Sequence, residues 1–188
     1  MALPPILMAG AVQPIGAAED LVAASPAGPS IEFTIQQQAV DQWCWAAVAV
    51  SVALTYDLGT RWSQQCLLAN DLFTQQTCCD DPSSQACNQQ ARLEDALSKT
   101  GHLDQGPIPP IPFDQVKSEL VAQKLVCLRI QTDGVGHFVV ISGCSDDSGD
   151  QRLDLHDPQG IPDSNLSFDE VMSRYNGNGV CTDAYLTR

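Results

Sequence analysis

Asp41-Gln42-Trp43-Cys44-Trp45-Ala46-Ala47-Val48-Ala49-Val50-Ser51-Val52-Ala53-Leu54 is the stretch on which the fold of this chain turns. Its apolar residues continue without a polar stripe, which is the pattern of a helix covered on nearly all sides and so the spine of a core. Asp41 is a candidate cap just ahead of it, and Tyr56-Asp57-Leu58-Gly59 supplies a stop. Cys44 then falls in the first turn, where unsatisfied N–H groups and the helix dipole favour a thiolate. A Cys in an apolar helix is ordinarily a small packing residue. The flanking Trp43 and Trp45 and the glutamine-rich approach through Gln36, Gln37 and Gln38 single this one out.

Working outward, Ile31–Ile35 alternates apolar and polar and predicts a short strand. A second helix is expected over Gln64–Asn70 with Ser63 as cap. A third is expected after Asn88, with Leu93, Ala96 and Leu97 on one face and Gly101 past its end. Gly106-Pro107-Ile108-Pro109-Pro110-Ile111-Pro112 reads as a stiff connector and a seam between two halves. A short helix near Phe113–Val121 follows. Leu125–Ile130, His137–Gly143, Arg152–His156 and Val180–Thr187 are strand candidates, and Ser167…Glu170 has the form of a capping box. Helices first and a sheet afterwards predict an α+β fold of two lobes, an N-terminal helical one and a C-terminal antiparallel β one.

The chain has 188 residues, enough for one domain with a real core, and its 44% hydrophobic and 17% charged residues are a globular composition. The formal net charge of -14 repels phosphate backbones and anionic membranes, so neither nucleic acid nor a membrane is an expected partner. No Lys or Arg precedes Arg61, and no apolar run is long enough to span a bilayer. Residues 1–30 lack the basic start of a secretory signal and carry five prolines; they read as a flexible leader or a short propeptide. The domain proper is expected over 31–188. Eight cysteines without a C-x-x-C pair fit disulfides in an oxidising compartment better than a zinc site, so the chain is expected to be secreted or periplasmic.

Three histidines are present. His102 follows a helix stop. His156 ends a strand. His137 opens one, after Gly136, and is the best general base. Asp157 lies 20 residues beyond it, at the end of the next strand. Antiparallel pairing through the turn around Ser145–Gln151 would bring the two together, so that the carboxylate fixes the imidazole's tautomer. Gln38, six positions before Cys44, can point back over the helix start and share an oxyanion with the Cys44 N–H; Gln36, Gln37 and Gln42 compete for that role. Bland readings exist for each: a polar rim residue for His137, a turn-initiating Asp before Pro158 for Asp157, a polar loop face for the glutamines. Together they form a nucleophile, a base and an orienter drawn from two halves of one chain.

In this order Gln38, Trp43-Cys44-Trp45-Ala46-Ala47, Gly136-His137 and Asp157-Pro158 resemble the papain-like cysteine peptidases. The likeness is closest to their compact bacterial branch of secreted effector proteases and bacteriocin-leader peptidases, and it covers about Ile31 to Arg188. The resemblance implies Cys44 as nucleophile, His137 as base and then acid, Asp157 as orienter and Gln38 as oxyanion donor. It implies a protein or peptide substrate and no cofactor or metal, and the chain is expected to act as a monomer. The sequence departs from papain in having Asp as third member and in placing His137 only 93 residues after Cys44. Papain's substrate subsites are therefore not transferred.

Two other functions compete with peptide hydrolysis. A transglutaminase or deamidase would use the same acyl-thioenzyme. An inert, disulfide-stabilised binding module would leave Cys44 unreactive. If Cys44 is free, seven cysteines remain. One or two bridges are expected among Cys66, Cys78, Cys79 and Cys87, without a Cys78–Cys79 pair, whereas Cys127 and Cys144 read as buried thiols or a cross-strand bridge.

Overall fold

The computed structural model describes residues 28–161 and 164–188. Three helices come first: α1 (Cys44–Tyr56), α2 (Gln65–Phe73) and α3 (Leu93–Thr100). Then follow β1 (Leu103–Ile108), α4 (Phe113–Val121), β2 (Val126–Thr132), β3 (Val135–Asp147), β4 (Asp150–His156), β5 (Ser164–Ser167), α5 (Phe168–Ser173) and β6 (Val180–Thr187). The strands form one sheet in the order β1-β6-β2-β3-β4-β5, every pair antiparallel. This is the expected α+β class.

The sheet's two faces carry two separate cores, because successive side chains of a strand point to opposite sides. Cys127, Phe138, Val140 and Tyr185 face α1, α2 and α3. Their neighbours Val126, Leu128, Val139, Ile141, Ala184 and Leu186 face α4 and α5. The central strands are therefore apolar on both sides, and their sequences read as continuous apolar runs. Every residue of α1 from Cys44 to Ala53 is buried, as its unbroken apolar pattern predicts.

Several local expectations give way. Ile31–Ile35 forms no strand; Ser30 makes an isolated bridge to Gly143, and the Ile31 N–H donates to the Ser142 carbonyl at 2.7 Å. Asp41, Ser63 and Asn88 do not cap helices: Trp43, Gln64 and Arg92 occupy those positions, without side-chain caps. Asn88 instead accepts the Gln42 N–H through its Oδ1 at 3.1 Å. Gly106-Pro107-Ile108 belongs to β1, so only the prolines beyond it connect the sheet to α4. Proline is tolerated there because β1 is an edge strand. The short β5 carries no sequence signal strong enough to be read. Other expectations match: α4 spans Phe113–Val121, the Ser167 side chain accepts the Glu170 N–H, and Gly101 ends α3 at φ 88°. Ser148 and Gly149, at φ 55° and 96°, make the tight turn joining β3 to β4. The leader read over residues 1–30 lies largely outside the described residues.

The C-terminal end of α1 is tied to the sheet by one buried polar knot. The Tyr56 hydroxyl lies 2.6 Å from Thr187 Oγ1 and accepts the Leu125 N–H at 2.7 Å, while Thr187 Oγ1 donates to the Leu125 carbonyl at 2.7 Å. Tyr56→Phe strands a backbone N–H and a buried hydroxyl, and is expected to cost about 1–3 kcal/mol, read as a lower urea midpoint.

Two disulfides form, Cys66–Cys79 and Cys78–Cys87. The adjacent Cys78 and Cys79 thus take different partners, as expected. Cys127, Cys144 and Cys181 are free, buried thiols. Burial raises all three, Cys181 to about 12, which leaves them protonated and unreactive at neutral pH.

Candidate active site

Cys44 is the first residue of α1 and is 8% exposed. Its own N–H and the next ones have no acceptor within the helix, so they point at the space above the thiol. A brace from the disulfide-stapled loop holds this turn. The Trp43 indole donates to the Cys87 carbonyl at 2.8 Å and the Trp45 indole to the Gln89 carbonyl at 3.1 Å. With the Asn88–Gln42 bond, three consecutive loop residues grip three of the four residues from Gln42 to Trp45. The two tryptophans thus fix the helix entry, a role their flanking positions hinted at but did not specify.

His137 sits near the start of β3, opposite Ile130 of β2. Asp157 follows the last residue of β4, whose His156 pairs with Val140. The β3–β4 hairpin therefore brings the two side chains together, as the sequence predicts. His137 Nε2 lies 2.8 Å from Asp157 Oδ1. With Nε2 taken by the carboxylate, Nδ1 is the ring nitrogen left for Cys44, whose influence on the imidazole helps raise its pKa. Cys44, His137 and their neighbours Trp45, Gly136 and Gln159 line one cleft of about 700 Å³.

The carboxylate is 3% exposed and fully satisfied. Oδ1 also accepts the Gln159 N–H at 2.8 Å, and Oδ2 accepts the Tyr175 hydroxyl at 2.7 Å. Burial alone would raise its pKa; the hydrogen bond and charge of His137, the Gln159 N–H and the Tyr175 hydroxyl outweigh that and hold it below the usual carboxylate range. Burial likewise pulls His137 down, but Asp157 and Cys44, through hydrogen bonds and charge, lift it to about 9. The arrangement favours an imidazolium paired with the Asp157 carboxylate.

Gln38 lies at the turn into α1, its N–H bonded to the Pro158 carbonyl at 2.7 Å, which joins the nucleophile's loop to the Asp157 loop. Its side-chain Nε2 donates to the carbonyls of Val40 and Asp41, at 3.2 and 2.9 Å, and does not line the cleft. The rival Gln42 does line it. His102 binds the terminal Arg188 carbonyl at 2.9 Å and His156 lies 2.6 Å from Ser142 Oγ, both away from Cys44. Among the described residues no group of three or more His, Cys, Asp or Glu side chains could hold a metal ion.

Two neighbours escaped the sequence reading. Tyr175 lies in an irregular segment between α5 and β6, with no motif to mark it. Arg129 of β2 lies across the cleft wall over Gly136, where a Cβ would stand 2.6 Å from the guanidinium.

No curated protein matches the chain. A family model does, that of the papain-like cysteine protease AvrRpt2, over residues 29–176. The match spans the helix bearing Cys44, the hairpin bearing His137 and Asp157, and Tyr175. The chain belongs to the AvrRpt2 family of papain-like cysteine proteases, and is a cysteine peptidase.

Proposed function

We propose that this peptidase cleaves its protein substrates through a Cys44–His137–Asp157 triad and an acyl-thioenzyme. One observation carries the reading: an imidazole bonded to Asp157 at 2.8 Å lines the same cleft as Cys44, the first residue of α1. The thiol proton resides on His137 Nδ1, leaving a thiolate at the helix N-terminus. The thiolate attacks the scissile carbonyl carbon, and the new oxyanion is met by the Cys44 N–H. Gln38 becomes the second donor once substrate draws its amide from the Val40 and Asp41 carbonyls. The imidazolium gives its proton to the leaving amine, and water, deprotonated by His137, releases the acyl group from sulfur. The two disulfides support an oxidising workplace, outside the cell or in a periplasm.

The test is alkylation of the native protein by an epoxide thiol probe at mildly acidic pH, with adducts mapped by mass spectrometry. Rapid labelling confined to Cys44 is expected, absent in Cys44→Ala and slowed in His137→Ala. Gln38→Ala should label as fast as the parent yet lose roughly a hundredfold in peptide turnover, since alkylation builds no oxyanion in that hole. Labelling spread over the buried thiols, or none at Cys44, would reject the triad.

A further inference from the structure

An orienting aspartate has two side-chain torsions, and the broad one about Cβ–Cγ decides which oxygen faces His137. The Gln159 N–H bonds Oδ1 from two residues along the same loop, an Asx turn that ties the carboxylate to its own backbone but not to the rest of the fold. Oδ2 is held from elsewhere. Tyr175 reaches it from the segment between α5 and β6, its ring 3% exposed among the residues that pack α4 and α5 on the sheet. The backbone there is itself tied, with the Gly179 N–H donating to the Tyr175 carbonyl at 2.8 Å and the Gly177 N–H to the Arg174 carbonyl at 2.8 Å. Gly179 leaves no room for a side chain, since a Cβ would meet the Tyr175 carbonyl oxygen at 2.7 Å. Burial and the Asp157 charge raise the tyrosine's pKa, so the hydroxyl remains a donor at any working pH.

We propose that Tyr175 is a positioning residue of the peptidase: its hydroxyl pins Oδ2 of Asp157 so that Oδ1 stays on His137. This rests on the triad reading above. The groups facing the carboxylate are His137 from β3, the Gln159 N–H from its own loop and Tyr175 itself, with Cys44 of α1 beyond the imidazole. Tyr175 acts on the chemistry only through Asp157, and that makes it separable from a packing residue.

The measurement is the pH dependence of Cys44 alkylation by iodoacetamide in the parent, Tyr175→Phe, Asp157→Ala and the double variant, with His137→Ala as control. The phenylalanine keeps the ring and its packing. Tyr175→Phe is expected to lower the peak rate roughly tenfold, the size of one hydrogen bond to a charged group. It is also expected to move the acid limb to higher pH, because Asp157 takes up its proton more easily and His137 then loses its charged partner. In the Asp157→Ala background the same change should do nothing further, because nothing remains to be pinned. An acid limb that stays in place, or an equal loss in both backgrounds, would overturn the positioning role even if the variant melts earlier. Parent alkylation indifferent to His137→Ala would instead overturn the triad, and this role with it.

Discussion

Asp157→Ala is expected to reduce peptide turnover by roughly 10³-fold while leaving the chain folded. Without the carboxylate, His137 loses the partner that selects its tautomer and turns its other nitrogen to Cys44. Asp157→Asn should be far milder, on the order of tenfold. The amide oxygen can take the place of Oδ1, still accepting from His137 and Gln159, while the amide nitrogen faces a tyrosine hydroxyl that can turn and accept. Orientation survives and only the charge goes. The pH profile reads that charge. His137 is lifted to about 9 partly by the Asp157 anion, so the alkaline limb of activity, near that value in the parent, should fall in Asp157→Asn. Stability follows the same sign. A histidine whose folded pKa lies above its unfolded 6.5 contributes stability that is complete below 6.5 and lost as pH rises toward 9. In Asp157→Asn that contribution should be smaller and its loss complete at a lower pH. Equal activity losses in the Asn and Ala variants would show that charge, not orientation, is what Asp157 supplies.

Removing the Cys78–Cys87 bridge as Cys78→Ala with Cys87→Ala is expected to lower stability by about 3 kcal/mol from loop entropy alone. Both half-cystines are fully buried in the α1 core, so lost packing adds to that. The functional effect should be disproportionate. Cys87, Asn88 and Gln89 supply the acceptors that grip Trp43, Gln42 and Trp45, so freeing the loop loosens the turn that presents Cys44. Urea denaturation reads the first effect, and the Cys44 alkylation rate under native conditions reads the second. A variant that is less stable but alkylates Cys44 at the parental rate would show that helix packing alone holds the nucleophile.

Much of this was legible from the sequence because the decisive signals are short-ranged. The all-apolar α1, the strands carrying His137 and preceding Asp157, and the Ser167 cap follow from patterns within a dozen residues. The hairpin makes His137 and Asp157 neighbours by a tight turn, so their meeting needs no long-range inference. Failures occurred where a distant partner decides. Asn88 looks like a helix cap, yet it serves Gln42, 46 residues away. Ile31–Ile35 alternates like a strand, but the edge of β3 that β2 leaves open beyond Ile141 is met by Pro29, Ser30 and Ile31, so the segment makes only an isolated bridge there. Gln38 stands at the expected spacing, while its amide is engaged by nearby carbonyls that spacing cannot reveal. Tyr175 was invisible because a lone tyrosine in an irregular segment carries no pattern; only the fold brings its hydroxyl to Asp157.

The two cores lie on opposite faces of one sheet, and this bears on how the enzyme fails. Nucleophile and base are held in one cleft by the seating of α1 on β3 and its neighbours, not by the angle between two independently folded bodies. Neither half can loosen while the other persists, because β2, β3 and β6 are structural members of both. Heat inactivation should therefore coincide with cooperative melting of the whole sheet, with no earlier, reversible opening of the cleft to blunt the loss.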